Sequence, residues 1–252
     1  AGTARRLNQD FRVAVGFIGG KRCLGGMLEL LLHCHHLVAV TDAILEQGGA
    51  VDKYVGDAII AIWNAPLDDP EHAKRAVTAA KVCQERLAKL RPQLNELCGE
   101  HFRTRIGIHT GVATVGNFGS KQRFNYTAIG DTVNFAARLE GLNKKFGTTI
   151  LVSEHTFSQL DDSVVCRSLG EVKVVGKEHF IKIFNPSLSS EEESIFRQFE
   201  QARLLFLGGS PAQGIARFEE LSECDPVSQA YAVRAKALKA GEPLERWIFE
   251  SK

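Results

Sequence analysis

One predicted β-hairpin constrains the fold more than any other part of the sequence. Two apolar, β-rich runs, Ala50–Val55 and Ala58–Trp63, are joined by Gly56 and Asp57. Such a pair between two strands is typical of a tight hairpin, although Asp-Gly is the commoner order. The simplest interpretation is a solvated carboxylate at the tip, but this leaves Lys53 unexplained inside a strand. A carboxylate fixed on a rigid turn also suits a hard cation such as Mg²⁺, so a metal site at Asp57 is the second interpretation.

Strand and helix signals are mixed along the rest of the chain up to residue 186. Strands are predicted at 11–18, 102–109, 112–115, 126–129, 149–152, 164–175 and 180–184, and helices at 27–47, 70–90, 131–142 and 153–160. Because several strands are linked by short turns, this order favours an α+β fold with a mostly antiparallel sheet and flanking helices over a doubly wound fold.

Caps and helix breakers refine this outline. Asp69 is expected to cap the second helix, and Pro92 to kink it or to begin a second piece. Asp131 or Thr132 is expected to cap the third helix. The stretch 117–125 is polar and basic and contains glycine, so we expect it to project as a loop or arm.

A linker-like break at 186–190 precedes a helical tail that has no strand signal. Its helices are predicted at 191–207, 211–223 and 227–239. We therefore predict two domains, 8–186 and 187–252, the second with a spacing loosely like one tetratricopeptide unit. A single such unit cannot bury its apolar face alone, so we expect it to dock onto the main domain or a partner.

Charge and hydropathy exclude several classes of protein. The formal net charge of +1 gives no electrostatic argument for binding nucleic acid. No apolar run reaches the ~18 residues that a membrane span needs, and no signal peptide is visible. We expect a cytoplasmic protein, or the cytosolic part of a membrane-anchored one. A sensor or membrane domain upstream of Ala1 is compatible with a chain that does not begin with Met.

The cysteines and histidines form neither a disulfide framework nor a metal-binding pattern. Six cysteines are widely scattered without a C-x-x-C pair, which is typical of reduced, buried thiols in a chain of this length. His33, His35 and His36 are crowded, but no cysteine or carboxylate stands at a matching ligand spacing. A helix face with two solvated histidines is therefore favoured over a zinc site.

A second informative stretch places an amide and a guanidinium on one helix face. Asn134 and Arg138 are four residues apart in the predicted third helix, so their side chains are neighbours. The pair suits a ribose and a phosphate, respectively. An exposed Asn–Arg pair without a ligand is the alternative, and the lysine and aspartate of the hairpin upstream make it less attractive.

Three motifs together resemble the catalytic domains of class III adenylyl and guanylyl cyclases. They are KYVGD at 53–57, RIGIHTG at 105–111 and GDTVNFAARL at 130–139. The first looks like the family's second metal-binding hairpin, the second like its central strand and the third like its transition-state helix. The resemblance runs from about residue 11 to 186 and implies the ferredoxin-like α+β fold of that family. The helical tail also resembles tails appended to some bacterial members.

The resemblance implies a role for each matching residue. Asp57 would be a ligand of two divalent metal ions, Mg²⁺ or Mn²⁺. Asn134 would orient the ribose, and Arg138 would stabilise charge on the α-phosphate. Lys53 and Thr127 fall where the family selects the base. A lysine donates to N1 of adenine and a threonine hydroxyl can accept from its N6 amine, whereas guanine presents the opposite groups, so ATP is the expected substrate.

Two departures from the family pattern bear on activity. Gly19 stands where the family carries its other metal-binding Asp, so the second expected ligand is absent. At 174–177 the family often has Val-Lys-Gly-Lys to hold the triphosphate, and here only Lys177 remains for that role.

We therefore expect an adenylyl cyclase that forms cyclic AMP and pyrophosphate from ATP. By the resemblance, the ribose 3′-hydroxyl attacks the α-phosphate with the help of two metal ions, at sites shared between the two chains of a homodimer. The alternative is a catalytically impaired cyclase that serves as a regulatory or heterodimeric partner. The absent Asp supports that alternative, whereas the retained site residues on separate elements argue against it.

Overall fold

The computed structural model describes residues 9–19, 27–98, 103–120, 122, 124–174, 179–238 and 242–249, and it is an α+β protein. The strands are β1 (Gln9–Gly19), β2 (Ala50–Val55), β3 (Ala58–Trp63), β4 (Arg105–Gly119), β5 (Phe124–Ile129), β6 (Ile150–Ser153), β7 (Cys166–Val174), β8 (Ile181–Pro186) and β9 (Arg246–Phe249). The helices are α1 (Met27–Glu46), α2 (His72–Cys98), α3 (Asp131–Phe146), α4 (Glu154–Phe157), α5 (Ser190–Leu207), α6 (Pro211–Leu221) and α7 (Pro226–Ala237).

In the described ranges the nine strands belong to one sheet, and most neighbouring strands are antiparallel. The order along the sheet is β2-β3-β1-β4-β6-β8-β7-β9, and β5 pairs with β4 beside this path. Two pairs are parallel, β4 with β6 and β7 with β9. The predicted α+β class and mostly antiparallel sheet are therefore confirmed.

Helices cover both faces of the sheet, which explains why β3 is buried along its whole length. Ile59 and Ala61 pack in the cluster that contains the buried residues of α1 and α2. Ile60 and Ile62, which point to the other face because successive residues of a strand alternate, share a cluster with Ala136 of α3. A strand buried on both sides needs apolar residues at every position, as this one has.

Close contact between α3 and the sheet depends on Gly107 of β4. A Cβ atom at this position would lie 2.3 Å from the backbone oxygen of Ala136 and 2.3 Å from the backbone nitrogen of Glu140. Only a residue without a side chain lets the helix backbone approach the strand so closely. Gly107, the first glycine of the RIGIHTG motif, therefore sets how closely the α3 backbone approaches β4.

The hairpin of β2 and β3 has the predicted position and bounds. Val55 pairs with Ala58, which leaves Gly56 and Asp57 as a two-residue loop. Gly56 has φ 63°. A glycine with positive φ at the first loop position is the arrangement of a type II′ turn, which explains why the order is Gly-Asp and not Asp-Gly.

The predicted break after His109 is wrong, because β4 continues to Gly119. Thr110 and Gly111 pair with Ala14 and Val13 of β1, so they lie inside the ladder and do not form a turn. The predicted arm at 117–125 is a β-hairpin in its described part, since the last residues of β4 pair with the first residues of β5.

The helix boundaries also differ from the predictions. Pro92 lies within one continuous helix, α2, and Asp69 accepts a hydrogen bond from the backbone nitrogen of Glu71 just before it. Neither Asp131 nor Thr132 caps α3, whose N-cap is Gly130. The Thr132 hydroxyl instead donates to the carbonyl of Val112 at 2.6 Å, which ties the helix to β4.

The tail contains the three predicted helices, α5 to α7, but the prediction that it has no strand is wrong. β9 pairs in parallel with β7 and so extends the main sheet. Arg167 of β7 also makes a buried, two-pronged ion pair with Asp225, the N-cap of α7, at 2.7 and 2.9 Å. The division at residue 186 stays a prediction, but the tail is docked onto the main sheet.

The crowded histidines differ in exposure. His36 is buried, with its Nε2 3.1 Å from the hydroxyl of Thr104, whereas His35 is exposed. Cys83, Cys166 and Cys224 are free thiols, and burial raises the pKa of Cys83 and of Cys166 to about 12. Within the described ranges, no helix is both long and apolar enough to cross a membrane.

Candidate functional site

The first group of candidate residues lies where β1 ends beside the hairpin tip. Ile18 pairs with Ile59 of β3, and the next residue of β1, Gly19, pairs with Arg105 of β4. This register brings Gly19 close to the turn that carries Asp57. The prediction that Gly19 stands at the position of a metal-binding carboxylate fits this register.

The side chain of Glu140 fills the space in front of Gly19. A Cβ atom built at Gly19 would lie 2.7 Å from Glu140 Oε1. The same oxygen accepts a hydrogen bond from Arg105 Nε at 2.8 Å. Burial raises the pKa of Glu140 above its ordinary value, the charge and hydrogen bond of Arg105 oppose this rise, and the negative charge of Asp57 adds to it. Glu140 and Asp57 are thus close enough for their charges to interact.

These residues fit one divalent cation better than the two that the resemblance implies. Asp57 with phosphate oxygens of a nucleotide is a donor set that Mg²⁺ uses in proteins. For a second ion, Gly19 supplies no ligand, and Glu140 is engaged by Arg105. No group of three or more His, Cys, Asp or Glu side chains suitable for a metal occurs in the part of the chain that the structure describes.

A second group joins the two candidate base-selecting residues through a carboxylate. Thr127 of β5 donates its hydroxyl proton to Asp52 Oδ2 at 2.9 Å. The other oxygen of Asp52 lies 3.6 Å from the ammonium nitrogen of Lys53. Thr127 is buried and the side chain of Asp52 is 0% exposed, whereas that of Lys53 is 45% exposed. Lys53 and Thr127, far apart in sequence, therefore meet at one place.

The third group lies on α3. Asn134 is exposed and Arg138 follows it by one helical turn, so both side chains lie on the same face, as predicted. Arg138 Nη1 is 4.0 Å from Asp131 Oδ1, and among the described residues this buried nitrogen makes no hydrogen bond. The helix thus offers a guanidinium donor with spare hydrogen-bonding capacity.

Sequence reasoning missed two residues of this region, Asp52 and Glu140. The sequence did contain a signal for Asp52, because a carboxylate beside Lys53 inside a predicted strand needs a hydrogen-bond donor or a cation as its partner. Glu140 directly follows the third motif, but nothing in the sequence relates it to Gly19. The remaining candidate, Lys177, lies outside the described residues.

Comparison with known proteins identifies one family. The model of the adenylate and guanylate cyclase catalytic domain matches residues 28–185, more than half of the chain. Adenylate cyclase 1 of Rhizobium meliloti (strain 1021) is 41% identical over 57% of this chain, and the adenylate cyclase of Anabaena cylindrica is 36% identical over 59%. The matches cover 22% and 30% of these two relatives, so the chain spans less than a third of their length.

Solved structures agree with this match. The adenylyl cyclase CyaB from P. aeruginosa superposes with a TM-score of 0.65 at 28% identity, covering 71% of this chain and 95% of CyaB. The guanylyl cyclase Cya2 gives a TM-score of 0.62 at 25% identity, with 71% and 93% covered. With the family model matching most of the main sheet and its helices, the chain belongs to the family of adenylate and guanylate cyclase catalytic domains.

Proposed function

We propose that the protein is an adenylyl cyclase that converts ATP to 3′,5′-cyclic AMP and pyrophosphate. The observation that carries the choice of ATP is the contact that joins Lys53, Asp52 and Thr127. Lys53 offers hydrogen-bond donors and Thr127 offers acceptor lone pairs, which matches N1 and the N6 amine of adenine. The relatives named adenylate cyclase support the same substrate.

In the proposed reaction the ribose 3′-oxygen forms a bond to the α-phosphorus, the 3′-hydroxyl proton passes to solvent water, and the bond from the α-phosphorus to the leaving pyrophosphate breaks. The Asn134 amide holds the ribose, and the spare donor of Arg138 binds the α-phosphate oxygen on which negative charge grows. Donors aimed at developing charge contribute most to such reactions. A divalent cation at Asp57, Mg²⁺ or Mn²⁺, would neutralise the triphosphate when bound. The role of Lys177 as a further triphosphate ligand stays a prediction.

We propose that each site is shared between two chains of a homodimer. By the family resemblance, Asp57 of one chain faces Asn134 and Arg138 of the other. A closed two-fold dimer then carries two equivalent sites. The exposed aromatic residues of the β4–β5 arm, Phe124 and Tyr126, are 63% and 39% exposed and suit a surface that a second chain covers.

The test is complementation between two inactive variants. Asp57→Ala and Arg138→Ala chains, mixed before assembly, form mixed dimers in about half of the population, each with one intact site. About a quarter of the parental production of cyclic AMP is expected. Each variant assayed alone is the control. Recovery near zero, with mixed dimers demonstrated by two affinity tags, contradicts the shared site.

One observation favours a second function, that of a catalytically impaired regulatory or heterodimeric partner. Gly19 supplies no carboxylate, and Glu140 fills the space before it. This function predicts that the purified chain binds ATP but forms no cyclic AMP with either Mg²⁺ or Mn²⁺, and that it gains activity only with an intact family member.

A further inference from the structure

Asp52 is a buried carboxylate that the known motifs of the chain do not include. It lies at an irregularity in the hairpin, where Val51 pairs with Ala61 and Lys53 pairs with Ile60, so that Asp52 is the extra residue of β2. Such a bulge re-aims a side chain relative to the regular alternation of the strand. The Asp52 side chain contacts β5 and has no exposed surface.

We propose that Asp52 is the positioning residue that sets the preference of the site for adenine over guanine, an inference that rests on the proposed function. It acts by fixing the direction of the Thr127 hydroxyl proton. A threonine hydroxyl has one proton and two lone pairs. Because the proton is donated to Asp52 Oδ2 at 2.9 Å, only lone pairs remain for a bound base.

The competing acceptor for this proton is weaker. The carbonyl oxygen of Ala128 lies 3.4 Å from the Thr127 hydroxyl, farther than the carboxylate, and it carries no formal charge. Hydrogen bonds to charged acceptors are shorter and stronger than those to neutral ones. The backbone nitrogen of Ala128 also donates to Asp52 Oδ2, at 3.4 Å, which holds the carboxylate in place.

The second oxygen of Asp52 acts on the other base-selecting residue. Oδ1 accepts no hydrogen bond from the described residues, and the Lys53 ammonium lies 3.6 Å from it. The charge of Asp52 attracts the ammonium toward Thr127, and because no hydrogen bond joins the two groups, the ammonium protons stay available to a bound base. One carboxylate thus orients an acceptor, Thr127, and a donor, Lys53, next to each other.

This donor and acceptor pair matches only one purine. Adenine presents a donor at its N6 amine and an acceptor at N1, whereas guanine presents an acceptor at O6 and a donor at N1. With the Thr127 proton committed to Asp52, guanine O6 would face a lone pair, and its N1 proton would face the Lys53 ammonium. Polar groups left unmatched in this way strongly disfavour the wrong substrate.

The test measures kcat and KM of the full chain for ATP and for GTP, with Mn²⁺ as the cation. In Asp52→Asn, the amide can donate to the Thr127 oxygen, so the hydroxyl proton becomes free to donate to guanine O6. We expect the ratio of kcat/KM for ATP to that for GTP to fall by about tenfold, mostly through KM. The matched control, Asp162→Asn at an exposed turn, should leave the ratio unchanged.

Variants of Thr127 show whether Asp52 acts through this residue. Thr127→Ser keeps the hydroxyl and should keep the ratio, whereas Thr127→Val should lower it as much as Asp52→Asn does. Adding Asp52→Asn to Thr127→Val should change the ratio little further, the coupling expected of two residues that act together. Circular dichroism and thermal unfolding check that each variant is folded, and the Thr127 variants test the inference if Asp52→Asn does not fold.

Two results would overturn the inference. One is a loss of equal size for ATP and GTP in folded Asp52→Asn, which indicates a merely structural carboxylate. The other is a full effect of Asp52→Asn in the Thr127→Val background. Competition binding with both nucleotides separates this inference from the proposed function. A parent chain that prefers ATP in binding but makes no cyclic AMP contradicts the cyclase assignment alone, and one that binds both purines equally contradicts the role of Asp52.

Discussion

Two buried aspartates, Asp225 at the tail and Asp52 at the candidate site, have opposite hydrogen-bonding states. Both oxygens of Asp225 accept hydrogen bonds from Arg167, and Oδ2 also accepts from the backbone nitrogen and hydroxyl of Ser228. In Asp52, Oδ2 accepts hydrogen bonds from Thr127 and Ala128. Its Oδ1 has an ion contact with Lys53 at 3.6 Å and no hydrogen bond within the described residues. A carboxylate that joins two parts of a fold is saturated, whereas one beside a site keeps spare capacity.

The cationic side chains around the two aspartates differ in the same way, since those near Asp225 are fully paired and those at the candidate site are not. The guanidinium of Arg167 also donates to Asn185 at 3.1 Å and stacks over the rings of Phe196 and Phe199. At the candidate site, Arg138 has a buried nitrogen without a hydrogen bond in the described structure, and Lys53 is nearly half exposed. Buried polar groups are normally paired, so the nitrogen of Arg138 makes this face of α3 a candidate binding surface.

The largest expected effect on stability comes from breaking the saturated junction. Arg167→Met should lower the free energy of unfolding by about 3–5 kcal/mol, because it leaves the charge of Asp225 buried and unpaired. Adding Asp225→Asn should recover much of this loss, since the amide oxygen can still cap α7. Thr127→Val at the other aspartate should cost less, about 1–3 kcal/mol. Urea unfolding measures the free energy lost in Arg167→Met and in Thr127→Val. Equal losses in the two variants would contradict the expectation that the contacts of Asp225 stabilise the fold more than those of Asp52.

The candidate site should respond in the opposite way, with loss of activity but not of stability. Arg138→Ala should lower kcat by about 10²–10³-fold, because a donor to the charge on the α-phosphate is lost. The free energy of unfolding should change by less than about 0.5 kcal/mol. Arg217→Ala, at an exposed ion pair with Glu220, is the matched control and should alter neither quantity. A stability loss in Arg138→Ala as large as that in Arg167→Met would assign the residue to the fold.

A third prediction concerns the end of β1. Gly19→Asp alone should not raise activity, because its Cβ would lie 2.7 Å from Glu140 Oε1 and the two carboxylates would repel each other. Gly19→Asp combined with Glu140→Gln should raise kcat with Mn²⁺ by about tenfold relative to Glu140→Gln alone. Assays of the three variants at several Mn²⁺ concentrations measure this. Equal activity of Glu140→Gln with and without Asp at position 19, in folded protein, would show that this strand end takes no part in cation binding.

The smallest expected effect is the contribution of Asp225 to acid stability. Burial opposes the charged form, but the hydrogen bonds and charge of Arg167 and the bonds from Ser228 outweigh it, so the pKa of Asp225 is lowered. A lowered pKa in the folded state stabilises the fold above the unfolded value of about 3.9, and this stability is lost as pH falls through the folded value. Thermal unfolding between about pH 7 and pH 2 should therefore show a loss that Asp225→Asn lacks. An equal dependence of the unfolding temperature on pH in the parent and in Asp225→Asn would contradict this contribution of Asp225.

Local sequence signals predicted much of the fold correctly. The bounds of β2 and β3 follow from apolar runs around a glycine turn, and the three tail helices follow from apolar periodicity. The prediction was wrong where pairing partners decide the structure. Thr110-Gly111 has the composition of a turn, but its pairing with β1 keeps it in β4. β9 is only four residues long, and β7 supplies the edge on which it forms.

The sequence by itself determined the family, the α+β class and the set of residues available for chemistry, because motif spacing and local periodicity are properties of the chain. Only the tertiary structure decided that Asp52 bonds Thr127, that Glu140 fills the place before Gly19 and that the tail extends the main sheet. Each of these is a contact between residues distant in the sequence. Such contacts depend on strand register and on the approach of α3 over Gly107, and neither is a local property of the residues involved.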